Sequence, residues 1–113
     1  MTYQSRLQDP FLDDLFQTIL SLESVEECYR FFEDLCTVSE LKSMGQRLVV
    51  ARMLWEKATY SEVDRLSGAS SATISRVNKS LQYGAGGYQL AFEKSPSPRH
   101  RISGDKRDKE KRP

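Results

Sequence analysis

The side chains best suited to chemistry follow Gly68 within a single short stretch. They are small hydroxyl and methyl groups followed by two cations: Ser70, Ser71, Ala72, Thr73, Ser75, Arg76 and Lys79. Compact hydroxyls and methyls can contact base edges in the major groove of DNA, and cations can contact phosphates. The predicted chemistry is therefore recognition of a nucleic acid.

These side chains need a scaffold, and residues 60–81 predict one. The stretch YSEVDRLSGASSATISRVNKSL reads as two short helices across a tight turn, with Gly68 supplying the backbone freedom that the turn demands. Ser70 caps the second helix and leaves its first amides open to phosphate. Four apolar residues are predicted to face inward: Val63, Leu66, Ile74 and Val77. This is a helix-turn-helix pattern, although two capped helices around a glycine occur in many all-α proteins.

The remaining sequence up to residue 94 also repeats apolar residues at helical spacing, which predicts an all-α fold of about six helices without strands. Asp9 and Pro10 begin one helix, and Ser24 with Glu27 forms a capping box for the next. A long helix begins around Thr37 to Ser39 and ends at about Trp55 or Lys57. Its predicted buried residues are Leu41, Met44, Leu48, Val49, Ala51, Leu54 and Trp55. Because two short helices cannot cover such a helix, a partner chain is expected.

Charge is distributed unevenly along the chain, although the net charge is +1. Residues 1–41 carry two basic and nine acidic residues, whereas residues 42–94 carry eight basic and four acidic ones. Residues 95–113 carry seven basic and three acidic residues. The basic excess favours an anionic partner for the second half, although folded domains also show such asymmetry by chance.

The composition changes at residue 95, where SPSPRHRISGDKRDKEKRP begins. This segment has too few apolar residues to offset the entropy of ordering it, so we predict a disordered basic tail over 95–113. Such a tail either keeps the protein solvated or contacts phosphates non-specifically. The folded domain is then expected to span residues 1–94.

Several function classes are disfavoured by the residues present. One histidine, His100, and two cysteines, Cys28 and Cys36, provide neither a metal site nor a nucleophile with its base, so no enzyme, metal or catalytic residue is predicted. The cysteines lie in an apolar helical stripe and read as small core residues rather than a reactive pair. No apolar run predicts a membrane span or a secretory signal, so a cytoplasmic location is expected.

The segment GASSATISRVNKSL resembles the turn and recognition helix of bacterial repressors. Together with Thr37 and the Gly45-Gln46-Arg47 triplet of the long helix, it resembles the Trp repressor superfamily. The stretch from EECYRFFEDL to SATISRV is more similar still to the YerC/YecD-type Trp-repressor-like proteins. The resemblance covers roughly residues 8–94, and Gln46 stands where the Trp repressor has threonine.

This resemblance implies an intertwined homodimer that binds a pseudo-palindromic operator in double-stranded DNA, with recognition helices about 34 Å apart. It also implies an effector site formed by Thr37, Arg47 and Arg76, which in that family hold tryptophan. Each residue has a role that needs no ligand, as a helix cap, a helix-surface charge and a phosphate contact. L-tryptophan, another small effector and no effector therefore all stay open.

A second function class competes with DNA binding. A dimeric helical adaptor could keep the helix-turn-helix shape and bind protein through the aromatic-rich stripes near Tyr29, Phe31 and Phe32. Salt discriminates the two, because DNA binding weakens with a log–log slope near −0.9 per neutralised phosphate.

Overall fold

The computed structural model describes residues 3–95, and within this range every regular element is an α-helix. The helices are α1 (Pro10–Leu20), α2 (Val25–Leu35), α3 (Val38–Trp55), α4 (Tyr60–Ser67), α5 (Ser71–Tyr83) and α6 (Gly87–Lys94). The predicted all-α fold of about six helices is confirmed. The tail predicted over 95–113 lies outside the described residues except for Ser95, and the boundary of the folded domain stays a prediction.

Side chains capping the first two helices explain where those helices begin. The Asp9 carboxylate accepts a hydrogen bond of 3.0 Å from the Phe11 N–H, and Pro10 follows as the first helical residue. At α2 the Ser24 hydroxyl accepts from the Glu27 N–H at 3.1 Å. The Glu27 carboxylate accepts in turn from the Glu23 N–H at 2.8 Å, one residue before the partner expected in a capping box.

Residues 3–41 form one compact unit, which contains α1, α2 and the first residues of α3. Neither α1 nor α2 contains a buried residue. Large apolar side chains on both helices are exposed, including Phe11 at 87%, Leu20 at 77% and Val25 at 72%. Cys28 and Cys36 are unpaired and half-buried. An isolated copy of this unit therefore leaves much of its apolar surface in water.

Residues 42–95 form a second compact unit with a closed apolar core. The core combines residues of α3, α4, α5 and α6 with Ala69 from the turn between α4 and α5: Val50, Ala51, Met53, Val63, Ala69, Ile74, Val77 and Phe92. Of these, Val50, Ala51 and Val63 have no exposed surface. The helix pair 60–81 is thus held against the second half of α3.

The predicted buried face of α3 is partly wrong. Ala51 is buried, but Val50 and Met53 are the other core residues, whereas Met44, Leu48 and Trp55 are at least one-third exposed. The reason is that α3 carries apolar residues around most of its circumference, so periodicity does not single out one buried side.

Helix α6 is attached to the end of α3 by aromatic contacts. The Phe92 ring lies 5.9 Å from the Trp55 ring and 5.9 Å from the Tyr88 ring. The Arg52 guanidinium lies 4.5 Å from the centre of the same Phe92 ring and donates to the Ser95 carbonyl oxygen at 3.3 Å. Arg52 therefore contacts both the inner face and the C-terminal end of α6.

Candidate nucleic-acid interface

The first helix of the pair, α4, has a complete capping box at its N-terminus. The Thr59 hydroxyl accepts from the Glu62 N–H at 3.1 Å, and the Glu62 carboxylate accepts from the Thr59 N–H at 2.8 Å. One residue later, Val63 is fully buried in the core. Capping and burial together fix where α4 begins and which side faces inward.

The turn after α4 adopts the left-handed backbone predicted for Gly68. Its φ is +71°, and its N–H donates to the Asp64 carbonyl oxygen at 3.2 Å. A Cβ added at Gly68 would meet nothing within 4 Å, so glycine is favoured there by its backbone conformation alone.

The inward position expected for Leu66 is wrong, because half of this residue is exposed. Ala69, only 3% exposed, fills the core beside the turn instead. The smaller side chain fits where α4 and α5 approach each other, while Leu66 lies on the outer side of α4. Val63, Ile74 and Val77 are buried as predicted.

The second helix, α5, begins at Ser70, as predicted. The Ser70 hydroxyl accepts from the Thr73 N–H at 3.1 Å and donates to the Thr73 hydroxyl at 3.1 Å. Ile74 and Val77 are each 1% exposed, and they pin one face of α5 to the core. The other face is therefore fixed in orientation by packing rather than by a flexible loop.

The candidate DNA-binding residues lie mainly on this outer face. Thr73 is half-buried and takes part in the cap, whereas the others are exposed: Ser70, Ser71, Ala72, Ser75, Arg76 and Lys79. Helix α5 contains two cations and no acidic residue. The face is thus slim near the N-terminus and positively charged one turn later, which suits a groove lined by phosphates.

Gln46 is a functional candidate that sequence reasoning passed over. Its side-chain amide donates to the Ser67 carbonyl oxygen at 3.2 Å and links α3 to the end of α4. Gln46 precedes the buried Val50 by four residues and Met53 by seven, so all three share one helix face, but the periodicity of α3 did not single out this face as buried.

The three residues of the implied effector site each have a local role. The Thr37 hydroxyl accepts from the Glu40 N–H at 3.0 Å, which makes it a helix cap. The Arg47 guanidinium donates to the Ser43 hydroxyl at 2.8 Å within α3, and Arg76 is exposed on α5. The effector role of these residues stays a prediction.

Other kinds of site are limited by what residues 3–95 contain. They include no group of three or more histidine, cysteine or acidic residues placed to hold a metal ion. Within the same range no helix is both long enough and apolar enough to cross a bilayer.

Comparison with known proteins agrees with this architecture. The family model described as Trp repressor protein matches residues 11–95. The uncharacterized protein YerC of Bacillus subtilis (strain 168) is 53% identical over 89 residues, which cover 79% of this chain and 86% of YerC.

Two crystal structures share the fold. A candidate Trp repressor from Staphylococcus aureus is 48% identical with a TM-score of 0.75, covering 86% of this chain and 92% of the other. A TrpR-like protein from Eubacterium eligens ATCC 27750 is 50% identical, also with a TM-score of 0.75, covering 79% of this chain and 92% of the other. The helix order and the helix-turn-helix of this chain agree with these matches. The chain belongs to the Trp repressor protein family.

Proposed function

We propose that this protein is a sequence-specific DNA-binding transcriptional regulator that acts as a homodimer on a pseudo-palindromic operator. The observation that carries the proposal is the outer face of α5. Its slim hydroxyl and methyl side chains and its two cations are exposed, while Ile74 and Val77 hold the opposite face in the core. A helix presented in this way can enter the major groove without rearrangement.

Recognition is divided between the two ends of this face. Ser71, Ala72 and Ser75 are short enough to let α5 approach base edges, to which they offer hydroxyl and methyl groups. Arg76 and Lys79 contact phosphates and fix the register of the helix on the duplex. The absence of acidic residues from α5 keeps phosphate repulsion away from this contact.

A second copy of the chain is the proposed partner of residues 3–41. Several large apolar side chains of α1 and α2 are exposed, including Phe11, Leu20 and Val25, and large exposed apolar patches mark protein interfaces. Two copies would carry two recognition helices, whose spacing of about 34 Å matches one turn of DNA. A two-fold dimer requires a two-fold operator, which is why the proposed site is pseudo-palindromic.

Control by a small effector is a further part of the proposal. Arg47 is half-buried, Arg76 is exposed, and two guanidinium groups suit a ligand that carries a carboxylate and an aromatic ring. Titration of the full chain with L-tryptophan in a calorimeter tests this site. Heat that disappears in Arg47→Ala supports it, and the absence of heat with the unaltered chain excludes tryptophan.

The DNA-binding face is tested by placing a carboxylate on it. With a duplex enriched by the full chain from a random pool, we expect Ser75→Glu to weaken binding by about 1–3 kcal/mol, roughly 5- to 150-fold, measured by fluorescence anisotropy. Gln89→Glu, which makes the same change of charge on the exposed side of α6, is the control.

The outcomes separate the two function classes. Loss of affinity in Ser75→Glu alone, with a steep decrease of affinity as salt rises, supports DNA recognition by α5. If Ser75→Glu binds the duplex as tightly as the unaltered chain does, the outer face of α5 is excluded as the DNA-binding surface. If the full chain enriches no duplex at any salt concentration, the adaptor function replaces DNA binding.

A further inference from the structure

A polar contact ties the long helix to the helix-turn-helix beside the apolar core. The Gln46 side-chain amide donates to the Ser67 carbonyl oxygen at 3.2 Å, and both residues are half-buried. The two residues lie 21 positions apart in the sequence. The bond therefore joins separate elements rather than neighbouring turns of one helix.

Ser67 connects this contact to the turn itself. Its hydroxyl donates to the Val63 carbonyl oxygen and accepts from the Ala69 N–H at 3.1 Å. Its carbonyl oxygen receives the Gln46 amide. One residue therefore holds the last turn of α4, the start of the α4–α5 connection and the contact to α3.

The apolar core and this hydrogen bond constrain the orientation of α4 and α5 in different ways. Val50, Val63, Ile74 and Val77 pack together in one cluster, and apolar burial depends on area rather than direction. A hydrogen bond is directional, because its strength falls steeply when the donor leaves the line to the acceptor. Gln46 lies one turn before Val50 on the same face of α3, so it adds a directional contact at the edge of the cluster.

We propose that Gln46 is a positioning residue that sets the orientation of α4 and α5 relative to the second half of α3. The inference rests on the proposed function, since the orientation matters only if α5 reads DNA. The contact is made within the chain, between α3 and the last residue of α4. In this proposal Gln46 acts through α4 and α5 rather than by contacting DNA itself.

The test removes the donor while keeping the side chain. Gln46→Met preserves its length, and Gln46→Asn preserves its amide but shortens its reach. Loss of one hydrogen bond corresponds to about a fivefold change in an equilibrium, so we expect about fivefold weaker DNA binding per recognition helix. Gln89→Met, which alters an exposed amide that donates to Glu93 within α6, is the matched control.

Hydrogen exchange in the free protein provides a readout that does not involve DNA. The Gly68 and Ala69 amides donate to Asp64 and Ser67, so they are expected to be protected in the unaltered chain. Both Gln46 variants should speed their exchange about fivefold, while the amides of Val50 and Met53 within α3 keep their rates. A general loss of stability would instead accelerate all four.

The results distinguish this inference from the proposed function. Weaker DNA binding together with faster exchange confined to the turn supports it. Unchanged exchange at Gly68 and Ala69, or uniform acceleration across the unit, overturns the positioning role even if DNA binding by the unaltered chain is intact. If that chain enriches no duplex, the proposed function fails, and a role for Gln46 in DNA reading fails with it.

Discussion

Residues 3–41 and residues 42–95 are both helical and both amphipathic, yet they use their apolar side chains differently. The second region closes a core in which Val50, Val63, Ile74 and Val77 are at most 1% exposed. The first has no buried residue in α1 or α2, and Phe11 is 87% exposed. Helical periodicity thus reveals that a face is apolar but not which chain covers it.

The two regions also differ in charge and in the backbone conformations that end their helices. Residues 1–41 are strongly acidic, whereas residues 42–94 have a basic excess. The second region contains the two left-handed residues that close its helices, Lys57 at φ +72° after α3 and Gly68 at φ +71° after α4. The first region carries the proposed assembly surface, and the second carries the proposed DNA-binding face.

The largest expected effect comes from opening the closed core. Ile74→Ala removes a side chain that is 1% exposed, and such deletions cost about 2–5 kcal/mol of unfolding free energy. Leu66→Ala, at a residue that is 50% exposed, should cost much less. Chemical denaturation followed by circular dichroism compares the two, and equal losses would mean that Leu66 belongs to the core after all.

A smaller effect is expected from the assembly surface. Phe11→Ala should weaken dimerisation by about tenfold, because aromatic anchors dominate protein interfaces, and sedimentation over a range of concentrations measures it. Trp55, the single tryptophan, lies in residues 42–95 and packs on Phe92 of the same region. Its fluorescence therefore reports whether that region is intact. Unchanged association of Phe11→Ala would show that α1 does not bind a second copy. Altered Trp55 fluorescence in this variant would show that the substitution also disturbs residues 42–95.

The smallest effect concerns Lys57 and Gly68, the left-handed residues that follow α3 and α4. Gly68→Ala should cost about 1 kcal/mol, because a Cβ is disfavoured at that φ although it would meet no neighbour. Lys57→Gly should have the opposite sign and stabilise the protein by up to about 1 kcal/mol. Thermal unfolding of both variants measures the two changes in stability. If both changes had the same sign, backbone conformation alone could not explain them.

Local features of this fold could be predicted from the sequence. The caps at Asp9, Ser24 and Ser70 and the turn at Gly68 each depend on one side chain or one backbone preference, and all four occur in the structure. The helix-turn-helix followed from these features together with the burial of Val63, Ile74 and Val77.

Features that depend on packing between helices could not be predicted. Leu66 has the right spacing for the core, but Ala69 takes that place because the turn brings its backbone close to α5. Gln46 looks like an ordinary helix-surface residue until the end of α4 is seen beside it. The exposed face of α5 was predictable as a pattern, whereas its role in binding DNA stays a proposal.

The central claim is that a two-fold pair of α5 helices reads DNA, and the sequences that the full chain enriches from random duplexes test it most directly. We expect a pseudo-palindrome with half-sites about 10 base pairs apart from centre to centre, enriched by the unaltered chain and lost with Ser75→Glu. Enrichment of an asymmetric sequence, or the same palindrome recovered by Ser75→Glu, would contradict the account.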